Sequence, residues 1–162
     1  MKFDYDVIIV GGRVAGSATA MLLARRGYRV LIIDRHHPRK YTLSTHAIMR
    51  SGLVQLQRWG LLHRILAYDT PPMRRIVLGF GEQEIGFDLR EAFGIDALYA
   101  PRRHILDTEL LAAAIEAGAE FRLGYRLLDL IFAENGRVTG IQVDANGVPA
   151  ELRARFVVGA DG

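Results

Sequence analysis

Two short apolar runs joined by a glycine-rich turn and a helix constrain this chain more than any other feature. Residues 7–10 (VIIV) are too continuously apolar for a half-exposed strand. Gly11, Gly12 and Gly16 follow at once. A helix is predicted from about Val14, with Ala15, Ala18, Leu22 and Leu23 on one face and Gly27 ending it. Residues 30–33 (VLII) form the second apolar run, and Asp34 closes it. Two buried strands joined this way must lie parallel, with the helix as their crossover. The helix N-terminus then offers free N–H groups and a positive dipole end to a pyrophosphate. An acid ending the second strand can accept hydrogen bonds from a ribose hydroxyl. This is the layout of a dinucleotide-binding βαβ unit.

The glycine spacing departs from the usual fingerprint at one position. Gly11 and Gly16 take the first and third places of G-x-G-x-x-G, but Arg13 stands in the middle, where a glycine normally lets the backbone approach the phosphates. The spacing alone is weak; the strand before it, the helix after it and the acid beyond supply the context. The simpler alternative is a strand–turn–helix whose glycines only make a tight turn and whose Asp34 is a solvated strand end.

The chain of 162 residues is long enough for one domain with a sizeable core. It has no cysteine, which excludes disulfides, thiolate metal sites and cysteine nucleophiles, and a cytoplasmic location is expected. No apolar run approaches the ~20 residues of a membrane span. A formal charge of +3 with scattered basic residues argues against nucleic acid as a partner. The cluster Arg35, His36, His37, Arg39, Lys40 suits either a small anionic ligand or a solvated basic loop. The histidines lack metal-ligand spacing, so no metal site is expected.

Residues 42–68 read as helical, with Leu53, Leu56, Trp59, Leu61, Leu62 and Ile65 at roughly helical spacing, broken by Gly60. Residues 73–80 and 84–89 read as short strands of an inserted sheet. A helix follows with Asp107 as N-cap, a buried stripe of Leu110, Leu111, Ala114 and Ile115, and Gly118 at its end. Residues 119–123 form a third strand beside the first two. Residues 125–133, 138–143 and 151–158 then make a β-meander turned at Asn135-Gly136 and Asn146-Gly147, with 156–158 as a last apolar strand returning to the parallel sheet.

Three motifs in this order resemble the FAD-dependent oxidoreductases of the para-hydroxybenzoate hydroxylase-like class, which holds single-component flavoprotein monooxygenases, halogenases and geranylgeranyl reductase-like enzymes. They are the turn GGRVAG with Asp34-Arg35, then Arg103 with Leu106-Asp107, then the terminal GADG. The stretch LSTHAIMRSGLVQLQRWGLL resembles a subfamily with GARxAG-type turns, in which Arg13 is a variant of the pattern. The resemblance implies an α/β fold: a Rossmann-like three-layer FAD-binding domain with a β-meander and the start of an inserted substrate-domain sheet. It divides the chain into residues 1–70 (FAD-binding βαβ and following helix), 71–98 (inserted strands of the substrate layer) and 99–162 (return to the FAD-binding domain with the meander).

The resemblance further implies FAD as resident cofactor and NAD(P)H as transient reductant. The residues it carries to the cofactor are Gly11, Gly12, Arg13, Val14, Ala15, Gly16, Asp34, Arg35, Ser44, Thr45, Arg103, Asp161 and Gly162. For Ser44 and Thr45 a plain helix N-cap is the alternative, and Arg103 could be a surface arginine. A flavin could serve oxygen insertion or hydride delivery to an activated double bond, and no side chain here is an evident acid or base, so no catalytic residue is assigned. An NAD(P)H-dependent monooxygenase of a small organic or aromatic substrate is the leading expectation; a reductase or dehydrogenase of the geranylgeranyl reductase type and a non-catalytic nucleotide-binding fragment are the alternatives. Such enzymes are typically more than twice as long, so the chain resembles an N-terminal portion. On its own it is expected to be inactive, and to self-associate through Leu78, Phe80, Phe87 and Phe93.

Overall fold

The computed structural model describes residues 3–36 and 47–162. They fall into two compact units, residues 1–41 with 106–162 and residues 42–105. In the first unit, β1 (Tyr5–Val10), α1 (Val14–Ala24) and β2 (Val30–Asp34) form the expected βαβ arrangement. The two strands are parallel, with Val7 paired to Val30 and Val10 to Ile33, and both runs are buried.

The helix packs differently from its reading in sequence. Its buried residues are Gly16, Ser17, Ala20, Met21 and Ala24, not the face of Ala15, Ala18, Leu22 and Leu23. Apolar residues surround α1, so period alone does not choose a face. Gly16, Ala20 and Ala24 recur every fourth residue on the buried face, where small side chains let the helix lie close on the sheet, with Met21 fully buried beside them. Beyond the helix, Gly27 N–H donates to Ala24 O at 2.8 Å and Tyr28 N–H to Leu23 O at 3.3 Å, the paired closure expected where a glycine ends a helix.

The second unit opens with Ile48 bridged to Tyr99. Helices α2 (Arg50–Arg58) and α3 (Leu62–Leu66) bury Leu53, Leu56 and Ile65 and part at Gly60, as the periodicity predicts. The predicted helical stretch is shorter at its start, since residue 48 is in a β-bridge; residues 42–46 lie outside the described residues. Strands β3 (Pro72–Met73), β4 (Arg75–Phe80), β5 (Gln83–Asp88) and β6 (Leu98–Tyr99) make two small antiparallel sheets, β3 with β6 and β4 with β5. Met73 therefore leaves the strand predicted over 73–80. Arg74 breaks that run, reaching Asp96 at 2.9 Å. Leu53, Ile95 and Leu98 form one buried core cluster of this unit. Leu78, Phe80, Phe87 and Phe93 are exposed.

Helix α4 (Arg103–Glu116) begins earlier than its predicted N-cap: Asp107 lies inside the helix and is buried. Pro101 fixes the backbone just ahead, so the helix can start two residues on. Its buried face is Leu106, Asp107, Leu110, Leu111, Ala113 and Ala114, whereas Ile115 is half exposed. The helix leads to β7 (Glu120–Leu123), β8 (Tyr125–Phe132), β9 (Val138–Ala145) and β10 (Val148–Gly159). With β1 and β2 these form one six-stranded sheet in the order β7-β2-β1-β10-β9-β8. The fold is mixed α/β with a parallel-dominated central sheet. The third meander strand and the returning apolar strand prove to be one element. β10 pairs antiparallel with β9 through Arg153 and parallel with β1 from Ala154 onward. Its length lets it serve both partners. The meander strands share one core with the parallel part, in which Ile141, Val143 and Leu152 pack with Ile8, Val10, Leu31 and Ile33.

Gly16 is the tightest point of this packing. A Cβ there would lie 1.8 Å from Gly11 O. Replacing Gly16 with alanine should therefore cost at least about 1–3 kcal/mol of stability, the range of forced overpacking. Alanine at Gly52, where only the Ile48 side chain is near, should cost less. Thermal denaturation of the two variants checks the order.

Candidate functional site: a cleft at the strand ends

The C-terminal ends of β1, β2 and β10 meet at the N-terminus of α1. Gly11 N–H donates to Ile33 O, Ala160 N–H to Val10 O and Gly124 N–H to Asp34 O, each at 2.8 Å. Gly11 has φ +109°, and a Cβ on it would stand 2.5 Å from Ala160 O and 2.8 Å from Asp161 N. Gly11 thus lets the terminal Gly-Ala-Asp-Gly segment press against the turn. Asp34 is held at both oxygens: Gly12 N–H donates to Oδ2 and His36 N–H to Oδ1, each at 2.8 Å. Each oxygen keeps a further acceptor site for a ligand hydroxyl.

Helix α1 has Arg13 as N-cap, in an extended conformation and without a side-chain cap. Intrahelical bonding begins with Ser17 N–H to Arg13 O at 2.8 Å. The N–H groups ahead of Ser17 therefore have no acceptor within the helix, and its first turn carries no acid. Ser17 Oγ donates to Gly12 O at 2.8 Å and ties the helix to the turn.

These groups surround an open cleft of about 190 Å³. Gly11, Arg13, Asp34, Arg35 and Asp161, all read from the sequence as cofactor residues, line it. Gly12 lies in the turn, Val14 and Ala15 open α1, and Gly16 is in its first turn against Gly11 O. Gly162 follows Asp161. Arg103 is the first residue of α4 and belongs to the second unit. Ser44 and Thr45 lie outside the described residues, as do His37, Arg39 and Lys40. Sequence reasoning missed Tyr125, Arg126 and Leu127, which form the far wall. Their signal is positional. They start just after the third parallel strand, and ligands of open α/β sheets sit beyond such strand ends.

Beside this wall lies a closed polar triangle. Tyr5 Oη donates to Glu120 Oε2 at 2.5 Å, while Arg122 donates from Nε to Glu120 Oε1 and from Nη2 to Tyr5 Oη, both at 2.8 Å. Burial, then the bond to Glu120, pushes the Tyr5 phenol up to about 12. The bond from Tyr5, reinforced by Arg122, holds Glu120 below its ordinary range. The guanidinium also sits 5.8 Å from the Tyr5 ring centroid and 5.6 Å from that of Tyr125. Among the described residues, no cluster of side chains could hold a metal ion. No described helix is long and apolar enough to cross a membrane.

The family described as FAD binding domain matches residues 4–162. The chain belongs to this FAD-binding domain family. A digeranylgeranylglycerophospholipid reductase of Methanoculleus marisnigri is 31% identical, aligned over all of this FAD-binding chain and 39% of the relative. The aklavinone 12-hydroxylase of Streptomyces peucetius is 29% identical over 99% of the chain and 36% of its own length. A crystal structure of a geranylgeranyl bacteriochlorophyll reductase-like protein from Thermoplasma acidophilum superposes with a TM-score of 0.80 at 27% identity, covering 98% of this chain and 39% of that one. The chain thus spans about two-fifths of the length of the curated relatives it matches.

The polar triangle gives a direct titration test. Because the folded phenol of Tyr5 is raised, its bonds contribute fully below the ordinary tyrosine range and are lost as pH rises through about 12. One tyrosine should ionise only near that pH when phenolate absorbance is followed. Glu120→Gln should bring it down toward the ordinary range, since the carboxylate holds the proton on the phenol.

Proposed function

We propose that the chain holds FAD for an NAD(P)H-dependent flavin monooxygenase acting on a small organic or aromatic substrate. One observation supports the cofactor part of this reading: three separate sequence segments, the glycine turn, Asp34-Arg35 and the segment ending in Asp161, converge on one cleft at the strand ends.

The residues present fit the adenosine and pyrophosphate portion of that cofactor. The glycines leave a cradle that a side chain would fill. The unsatisfied N–H groups of α1 and its positive dipole end would meet the pyrophosphate, with Arg13 adding a guanidinium where the backbone approach is lost. Asp34, fixed by Gly12 and His36, would accept the ribose hydroxyls. Bound FAD would supply the electron and oxygen chemistry. The chain's own part is to bind, orient and shelter the cofactor; none of its side chains is assigned as a proton donor or acceptor in the reaction.

A second reading, a reductase of the geranylgeranyl type, is favoured by the Methanoculleus relative, whose 31% identity slightly exceeds the hydroxylase's 29%. Oxygen separates the two. In the full-length protein, NADPH or NADH should reduce the flavin, and a monooxygenase then consumes dioxygen in step with a hydroxylated product. Substrate reduction without oxygen uptake would favour the second reading, and no reduction by either nicotinamide would overturn the dependence on NAD(P)H.

Two substitutions test the cofactor site by calorimetry with FAD. Asp34→Ala should weaken binding by about 1–3 kcal/mol, the cost of leaving buried polar groups unpaired. Arg13→Gly should leave affinity intact or modestly altered; a large gain would show that Arg13 obstructs the site.

A further inference from the structure

Arg122 is not in the cleft, yet it lies against a residue that is. Tyr125 stands in the far wall beside Asp34, and the Arg122 guanidinium sits over its ring at 5.6 Å. Arg122 is itself fixed. Glu120 and Tyr5 hold it at 2.8 Å each, and the Tyr5 ring lies 5.8 Å from the guanidinium. Its side chain is 30% exposed, so these contacts are only partly weakened by solvent. On the chain side, Gly124 anchors the approach to Tyr125: its N–H bonds to Asp34 O at 2.8 Å, and its carbonyl accepts from Asn146 N–H at 3.2 Å. The backbone is thus fixed by Asp34 at Gly124, one residue ahead of Tyr125, and the Tyr125 ring meets Arg122. A half-buried aromatic at the wall of a nucleotide cleft offers a flat surface to a purine.

We infer that Arg122 is a positioning residue for adenosine binding, acting through Tyr125: the Tyr5–Glu120–Arg122 triangle holds the Tyr125 ring where the adenine of the ligand rests. This inference rests on the proposed FAD site and adds the class of group, a purine, that the far wall takes. Arg122 contributes no contact to the ligand. Its planar, forked guanidinium is needed, because it must bond two partners while keeping a face on each ring.

The test is a double-mutant cycle on nucleotide affinity in the full-length protein, with FAD and ADP as separate probes. Arg122→Met and Tyr125→Leu should each weaken both ligands about tenfold, within the range a stacked base contributes. The double variant should be no weaker than Tyr125→Leu alone, because Arg122 works only through that ring. Arg122→Lys should recover part of the loss. Equal losses for FAD and ADP locate the effect at the adenosine end. Additive losses, or a fall in melting temperature with affinity unchanged in Arg122→Met, would overturn the positioning role while leaving the FAD site standing. Failure of the unsubstituted protein to bind either ligand would overturn both.

Discussion

The close contact of backbone with backbone at the glycine turn is the constraint on which the rest of the structure depends. Gly16 presses on the carbonyl of Gly11, and Gly11 presses on Ala160 and Asp161. Helix, turn and last strand therefore approach one another to distances that no side chain allows. This brings the N-terminus of α1, the end of β2 and the end of β10 to one edge of the sheet. Residues more than 140 positions apart in sequence, Gly11 and Asp161, come to line one cleft. The small-residue stripe of α1 serves the same end, since bulkier side chains on that face would lift the helix and its free N–H groups away from the strand ends.

Polar groups then fix what packing brings together. Asp34 is a carboxylate at a strand end, where isolation would be costly, and two backbone N–H groups hold it. The same residue's carbonyl receives Gly124, which sets where β8 leaves the parallel part of the sheet. The far wall of the cleft thus hangs on the residue that marks its near side. The Tyr5–Glu120–Arg122 triangle braces that wall from the side, and its members' shifts all favour the neutral phenol, ionised carboxylate and charged guanidinium at neutral pH.

Much of this was legible in the sequence, and the misses have physical causes. Continuous apolar runs identified β1 and β2, and the turn residues marked the meander, because strand burial and positive-φ turns each restrict residue choice strongly. The face of α1 was misjudged because apolar residues surround the helix, so the period of the hydrophobic pattern does not single out one side. Asp107 was misjudged because a buried acid within a helix resembles a cap in one dimension. The continuity of β10 was missed because a strand that changes partner carries no break in its sequence. Tyr125, Arg126 and Leu127 gave no motif at all; their place in the cleft follows from sheet order, which sequence spacing does not encode. The second unit was legible in its helices and hairpin, and Leu78, Phe80 and Phe87 are exposed, as the sequence reading expected of them.

A crystal structure with ADP bound tests the central claim most directly, that the cleft at the strand ends is built for the adenosine diphosphate portion of FAD. The expected density has the pyrophosphate at the N-terminus of α1 beside Arg13, the ribose hydroxyls on Asp34, and the adenine against Tyr125. Density for ADP elsewhere on the chain, with the cleft between Gly11, Asp34 and Asp161 left to solvent, would contradict it.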